Sequence, residues 1–569
     1  MSDPQPPENN EPEDTTVLGD QPDQGGQPEG TEPTTVLPPA PAAAVPTAGP
    51  SATEPASRSG RRTAVVLAVA AVVVALLAGG AFALYTVFFG GGPQPADALP
   101  ASTVAIVSVD LDPSAGQKIA AIKAIRKFPA LKKSLGLKTR DDLRRFIFDK
   151  AVESGTCTNL DYDKDVKPWI GKRVALAAVD LGAKKPVPAL ALQVSDRGKA
   201  KAGFDKIVAC AAGGKDLGYA IGDDYLIASD TTAHAKAILL AGQKASLADD
   251  DQYKKWTDKA GDRGVVNFYV AKRSVDYLSD ALASFADGLT GTLGAGSGDP
   301  VAALTKQLKG FGGLAGTVRF AGGGMEMSVA AGGLDGYTST SSIGNQVSAL
   351  PKDSVLVAGI AVPKGYASTL VDNIKAAIGD EDVDLVAEAE QETGLQLPGD
   401  LATLLGSGVT LSVGGTPPDD LADLTSLADL PLGLVLHGDG SKIKDIITKV
   451  QDHVGVSLAD IEVGVLSSDS KVVLSPSKNY AEDLLGKGTL GGSSTFTDAV
   501  PNADKASAIV YLNFDSAWRA ALIKLARDTG ADADDVDAVE ANTAPLKSLG
   551  ISTWSEGKVS HFLLKVATD

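Results

Sequence analysis

Two stretches, "EDTTVLGD" (Glu13–Asp20) and "EPTTVLPP" (Glu32–Pro39), set a threonine pair after acidic residues and before Val-Leu. Thr15, Thr16, Thr34 and Thr35 are hydroxyls that a Ser/Thr kinase could phosphorylate, each phosphate adding about −1.5 to −2 charges. Leu18 and Leu37, the only leucines of the first 60 residues, lie three positions after Thr15 and Thr34. A phosphothreonine followed by leucine at that distance resembles the ligands of forkhead-associated domains. Those domains take the phosphate with arginine and read the leucine in a shallow pocket. Two such sites 19 residues apart could engage a dimeric reader. Chance repetition in a tail biased toward Pro, Thr and Glu is the alternative.

Other motifs match a pattern and fail in context. Gly310, Gly312 and Ala315 fit G-x-G-x-x-A, but the segment runs from helix into strand. Dinucleotide binding needs the reverse order, so that a helix N-terminus meets the pyrophosphate. Ser468–Lys471 and Ser475–Lys478 fit S-x-x-K, yet no S-D-N or K-T-G follows, and both lie in or beside a predicted hairpin. His234, His437, His453 and His561 show no metal-ligand spacing. The acidic run "DTGADADDVDAVE" (Asp528–Glu540) lacks the glycine of a calcium loop and reads as a solvated helix. No catalytic residue, metal ligand or cofactor site is assigned.

The elements that would carry these residues fall into zones. Residues 1–60 hold 13 of the 31 prolines, ten Asp/Glu and no aromatic residue. Such a segment cannot bury enough apolar surface to offset ordering costs of about 1–2 kcal/mol per residue, so a disordered tail is expected. Residues 63–89, "TAVVLAVAAVVVALLAGGAFALYTVFF", contain no charge. As a helix they reach roughly 40 Å, against a hydrocarbon core of about 30 Å. Arg58, Arg61 and Arg62 precede this span and no basic residue follows it closely, which puts the tail in the cytoplasm and the rest outside. The expected localisation is therefore the plasma membrane, single-pass.

The exported part carries 61 of the 71 acidic and 49 of the 52 basic residues, which argues against nucleic acid as a partner. Cys157 and Cys210, the only cysteines, both lie on the oxidising side. A disulfide closing 53 residues is the simplest reading, worth roughly 4 kcal/mol in the chain-entropy model. Two isolated buried thiols are the other.

Six blocks of the exported part recur in order, at offsets of about 233 to 251. "LPASTVAIVSVDLDP" from Leu99 answers to "LPKDSVLVAGIAVPKG" from Leu350, and Gly171 matches Gly406 as Tyr269 matches Tyr511. "YAIGDDYLIAS" and "FAGGGMEMSVA" read as hairpins. "SKIKDIITKVQDHVG" puts Ile443, Ile446, Ile447, Val450 and Val454 on one helical face after Ser441 as N-cap. The expected fold class is α+β: two similar units, 96–335 and 345–569, each an antiparallel sheet with helices on one face. Gly332–Gly344 would join them, side by side or in one continued sheet.

A Pro/acidic tail, an Arg-flanked span and the opening strand "LPASTVAIVSVDLDP" together resemble a family from high-GC Gram-positive bacteria. It is the membrane protein family catalogued as domain of unknown function thirty-three fifty-two. The resemblance covers roughly residues 60–569 and implies the fold and an envelope location; it brings no catalytic residue. The function expected is a non-enzymatic binding or scaffold module with an unidentified extracellular partner and a phospho-regulated tail. An envelope hydrolase acting on wall or lipid material is the alternative, and it would gather titratable groups in a concave pocket. A scaffold would show an exposed apolar patch or an open sheet edge.

Overall fold

From Val187 to Leu192 every residue is apolar, and the two faces go to different places. Ala189 and Ala191 enter one buried cluster, while Leu190 and Leu192 lean into another on the opposite side. Because side chains alternate along a strand, an unbroken apolar run marks a sheet covered on both faces.

The computed structural model describes residues 93–569, apart from 112–114, 131–143, 146–147, 150–158, 212–216, 278–309, 322, 334–340, 379–384, 423 and 425. The tail threonines Thr15, Thr16, Thr34 and Thr35, the apolar segment 63–89 and Cys157 lie outside the described residues. Among the described residues no helix is long and apolar enough to cross a membrane.

The protein is mixed α+β, with one large antiparallel sheet. Its first eight strands are β1 (Thr103–Asp110), β2 (Ile170–Val179), β3 (Val187–Val194), β4 (Gly218–Ile221), β5 (Tyr225–Ser229), β6 (Val266–Val270), β7 (Gly313–Ala321) and β8 (Gly324–Gly332). The last eight are β9 (Leu356–Ala361), β10 (Gly408–Val413), β11 (Leu432–His437), β12 (Gly464–Ser468), β13 (Lys471–Ser475), β14 (Ala508–Asn513), β15 (Leu546–Glu556) and β16 (Val559–Thr568). The sheet order is β12-β13-β11-β10-β9-β14-β15-β16-β8-β7-β6-β1-β2-β3-β5-β4. Read inward from either edge, the two sets of eight follow one and the same order.

Register carries the correspondence to single residues. Tyr269 pairs with Ile106 and Ala315, and Tyr511 pairs with Val357 and Gly550. Each tyrosine meets an aromatic ring edge-on at 5.1 Å, Tyr253 in one case and Phe496 in the other. Ser229 donates its hydroxyl to the Pro188 carbonyl at 2.7 Å, and Ser475 donates to Leu432 at 2.6 Å. Gly171 lies against Gln193 and Gly406 against His437; a Cβ on either would sit within 2.7 Å of that neighbour. The halves meet where β8 pairs β16, and there Ser328 is opposite Leu563. These two occupy the same register position in their own halves, so a local twofold passes between them.

Two sequence expectations are corrected. Helices cover both faces of the sheet. The helix Asp251–Ala260 supplies Tyr253, Trp256 and Ala260 to the cluster that holds Ala189, while Arg197–Ala211 supplies Ala200 and Phe204 to the one that holds Leu190. In the second half Val473 joins the cluster under Lys478–Leu485, and Val472 packs against Ile443 of Gly440–Val454 on the other side. The helix Gly440–Val454 is capped by Asp439, whose carboxylate accepts from the Lys442 amide, and not by Ser441. Ile443 and Ile446 are buried as expected, but Val454 is 49% exposed because the helix ends there at left-handed Gly455. The two hairpins form: Gly222–Asp224 turns between β4 and β5, and β7 pairs β8 up to Ala321↔Gly324.

Candidate functional site

The motifs singled out in the sequence are occupied by structural work. Ser475 is buried on its carbonyl bond, and Lys471 donates to the carbonyls of Leu484 at 2.6 Å and Gly486 at 3.1 Å. Burial lowers the Lys471 pKa. Gly313 opens β7 with φ +113°, its backbone against the Trp256 indole, so this glycine-rich run makes a close strand–helix contact. The acidic run forms the helix Ala533–Thr543 capped by Asp532, and Arg527 bridges Asp537 at 2.9 Å and Glu540 at 2.8 Å. Among the described residues no three His, Cys, Asp or Glu side chains are grouped to hold a metal. Cys210 lies in the helix Arg197–Ala211.

The four histidines occupy separate elements. His234 Nδ1 lies 2.6 Å from Asp230 near a helix start, and His453 Nε2 lies 2.7 Å from the Gln391 carbonyl. The His561 ring stacks on Trp554 at 4.9 Å. His437, buried like His561, has its Nε2 3.0 Å from the Thr410 hydroxyl, and burial lowers its pKa to about 4. A second buried hydroxyl set, Ser354, Ser412 and Tyr480, lies on the same strand face. Among the described residues, no carboxylate is hydrogen-bonded to the side chains of either set. A shallow open groove passes between Gly394, Lys449 and His453, and Lys449 there is bound to Asp400 at 2.8 Å.

One charged arrangement was not anticipated. Arg173 on β2 is buried and ion-paired with Asp110 at the end of β1, its register partner. Its Nη1 donates at 2.7 Å to the Pro93 carbonyl, which also accepts from the Tyr225 hydroxyl, with Gln193 Nε2 at 3.5 Å. Burial pushes the Tyr225 phenol up, so it stays a donor. The available signal was an arginine inside an apolar strand, "GKRVALAAV".

The sheet also exposes apolar side chains. Val107 and its cross-strand partner Leu176 are 46% and 64% exposed, on the face opposite Ile106 and Ala175. In the second half Leu411 and Ile360 are exposed at 36% and 52%. Leu176 and Leu411 are register equivalents, fixed by Ile106↔Ala177 and Val357↔Ser412.

The fold defines a mixed α+β protein whose exposed apolar surface repeats. The chain belongs to the family described as Protein of unknown function (DUF3352), whose model matches residues 65–413, more than half its length. No curated protein matches it.

Proposed function

We propose that this chain is a membrane-anchored cell-envelope protein, a non-enzymatic binding or scaffold module made of one eight-strand unit written twice. The carrying observation is the repeated apolar exposure at Leu176 and Leu411 on register-equivalent strands. Nine strand spacings separate β2 from β10, about 43 Å along the sheet. Two linked contacts of that kind favour an extended or multivalent partner outside the cell. The uncharged segment 63–89 supplies the anchor, with the tail in the cytoplasm. Reversible cross-linking in intact membranes, with and without residues 1–60, tests the reading. One defined partner should be captured by the native chain and lost from a Leu176→Lys, Leu411→Lys variant that melts normally. Capture unchanged by those substitutions would contradict it.

Two modifications belong to the same reading. A Cys157–Cys210 bridge would staple the first half in an oxidising compartment. Phosphorylation of Thr15, Thr16, Thr34 or Thr35 by a cytoplasmic Ser/Thr kinase would create the ligand for a forkhead-associated-domain reader. Non-reduced peptide mapping from growing cells should return the linked cysteine peptides and phosphorylated tail peptides. Full coverage with free thiols rejects the bridge, and full coverage without phosphate rejects the switch.

A further inference from the structure

The repeated halves supply an internal control for the Pro93 contact. Register fixes the second-half counterparts: Asp110 corresponds to Ala361, Arg173 to Gly408, Gln193 to His437 and Tyr225 to Lys471. The same strands therefore pair in the same order without an ion pair or a tyrosine at these places. There, His437 turns to Thr410 and Lys471 to Leu484 and Gly486, all within their own half. The Asp110–Arg173–Gln193–Tyr225 group is not a requirement of the fold. It is present in the half that follows the apolar segment, and what it grips is Pro93.

Pro93 stands at a particular place in the chain. Gly90, Gly91 and Gly92 alone separate it from Phe89, the last residue of the uncharged segment. Four Cα steps reach at most about 14 Å. Beyond Pro93 the chain enters the helix Pro95–Ala98, whose Pro95 and Ala96 are buried. A backbone carbonyl gripped by a buried guanidinium and a buried phenol is held far more firmly than a glycine linker alone would hold it, because charge-assisted bonds in a dry site are the strong ones.

We propose that this cradle fastens the sheet to the membrane span. It fixes the first half with its Gly222–Asp224 turn close to the lipid surface and leaves the second half away from it. The proposal rests on the reading of 63–89 as a span. The turn adjoins the cradle directly: Asp224 accepts from the Val194 amide at 2.8 Å, and Tyr225 follows it. Asp223 of this turn corresponds to Asp469 in the second half, and both are exposed.

The full chain in lipid bilayer discs, carrying a photoreactive azidophenylalanine in place of Asp223 or of Asp469, tests this by the yield of lipid adducts. The yield should be several-fold higher at 223 than at 469. A ten-residue Gly-Ser insertion between Gly91 and Gly92, outside the described residues, should erase that preference. Tyr225→Phe, which keeps the Arg173–Asp110 pair and the Lys172 amide bond to Gln193, should narrow it; if that variant does not fold, the insertion decides. Equal yields at the two positions, or a preference that the insertion leaves intact, would overturn the cradle as an anchor. Release of the chain by alkaline carbonate would instead overturn the span itself.

Discussion

His437 lies on β11 with Nε2 3.0 Å from the Thr410 hydroxyl and the Lys471 charge nearby, and burial holds its pKa at about 4 against an ordinary 6.5. The fold therefore keeps the imidazole neutral, while the unfolded chain takes up a proton near its ordinary value. The stability linked to this group is complete above about pH 6.5 and drains as pH falls toward 4, a total of ~3 kcal/mol. Chemical unfolding between pH 7 and pH 4 should show that loss. His437→Gln should flatten this part of the profile, because glutamine is what β3 carries at the equivalent Gln193 and has no proton to take up. An unchanged slope would mean another group titrates. Nothing in the one-dimensional sequence marks His437 as buried, since its partner Thr410 is 27 residues away and adjoins only through the strand pairing. The Pro93 cradle was hidden for the same reason: its donors lie 80 and 132 residues along the chain from the carbonyl they grip.

At the scale of elements, the aromatic pairs Tyr253–Tyr269 and Phe496–Tyr511 pin one short helix in each half to the strand that precedes β7 or β15. Phe496 is 1% exposed, so Phe496→Ala should cost about 3–5 kcal/mol in denaturant unfolding. Leu176→Lys, at 64% exposure, should change stability by no more than about 0.5 kcal/mol. A large loss for the second, or none for the first, would contradict the assignment of core and surface. The hairpins were legible because Gly-Asp-Asp and Gly-Gly-Gly sit between short β-branched runs. The coverage of both faces was legible in principle, in the apolar run "VPALAL", and was missed by assuming that an antiparallel sheet hides one face only. The true cap at Asp439 was missed because Ser441 is as good a capping type, and only the backbone shows which residue precedes the first helical turn.

For the whole molecule, the ordered repeats pointed to two similar parts but left open how they meet. That depends on β8 and β16, whose edges face each other 235 residues apart in sequence. Ser328 and Leu563, equivalent in their halves and opposite each other in the sheet, make the joint resemble the interface of a symmetric dimer within one chain. The joint removes two inner edges and leaves β4 and β12 as the outer ones. Hydrogen exchange on the intact chain measures this directly. The amides of β8 and β16 should exchange as slowly as those of the central strands β1 and β9, and far more slowly than those of β4 and β12. Exchange at β8 and β16 as fast as at the outer edges would contradict a single sixteen-strand sheet.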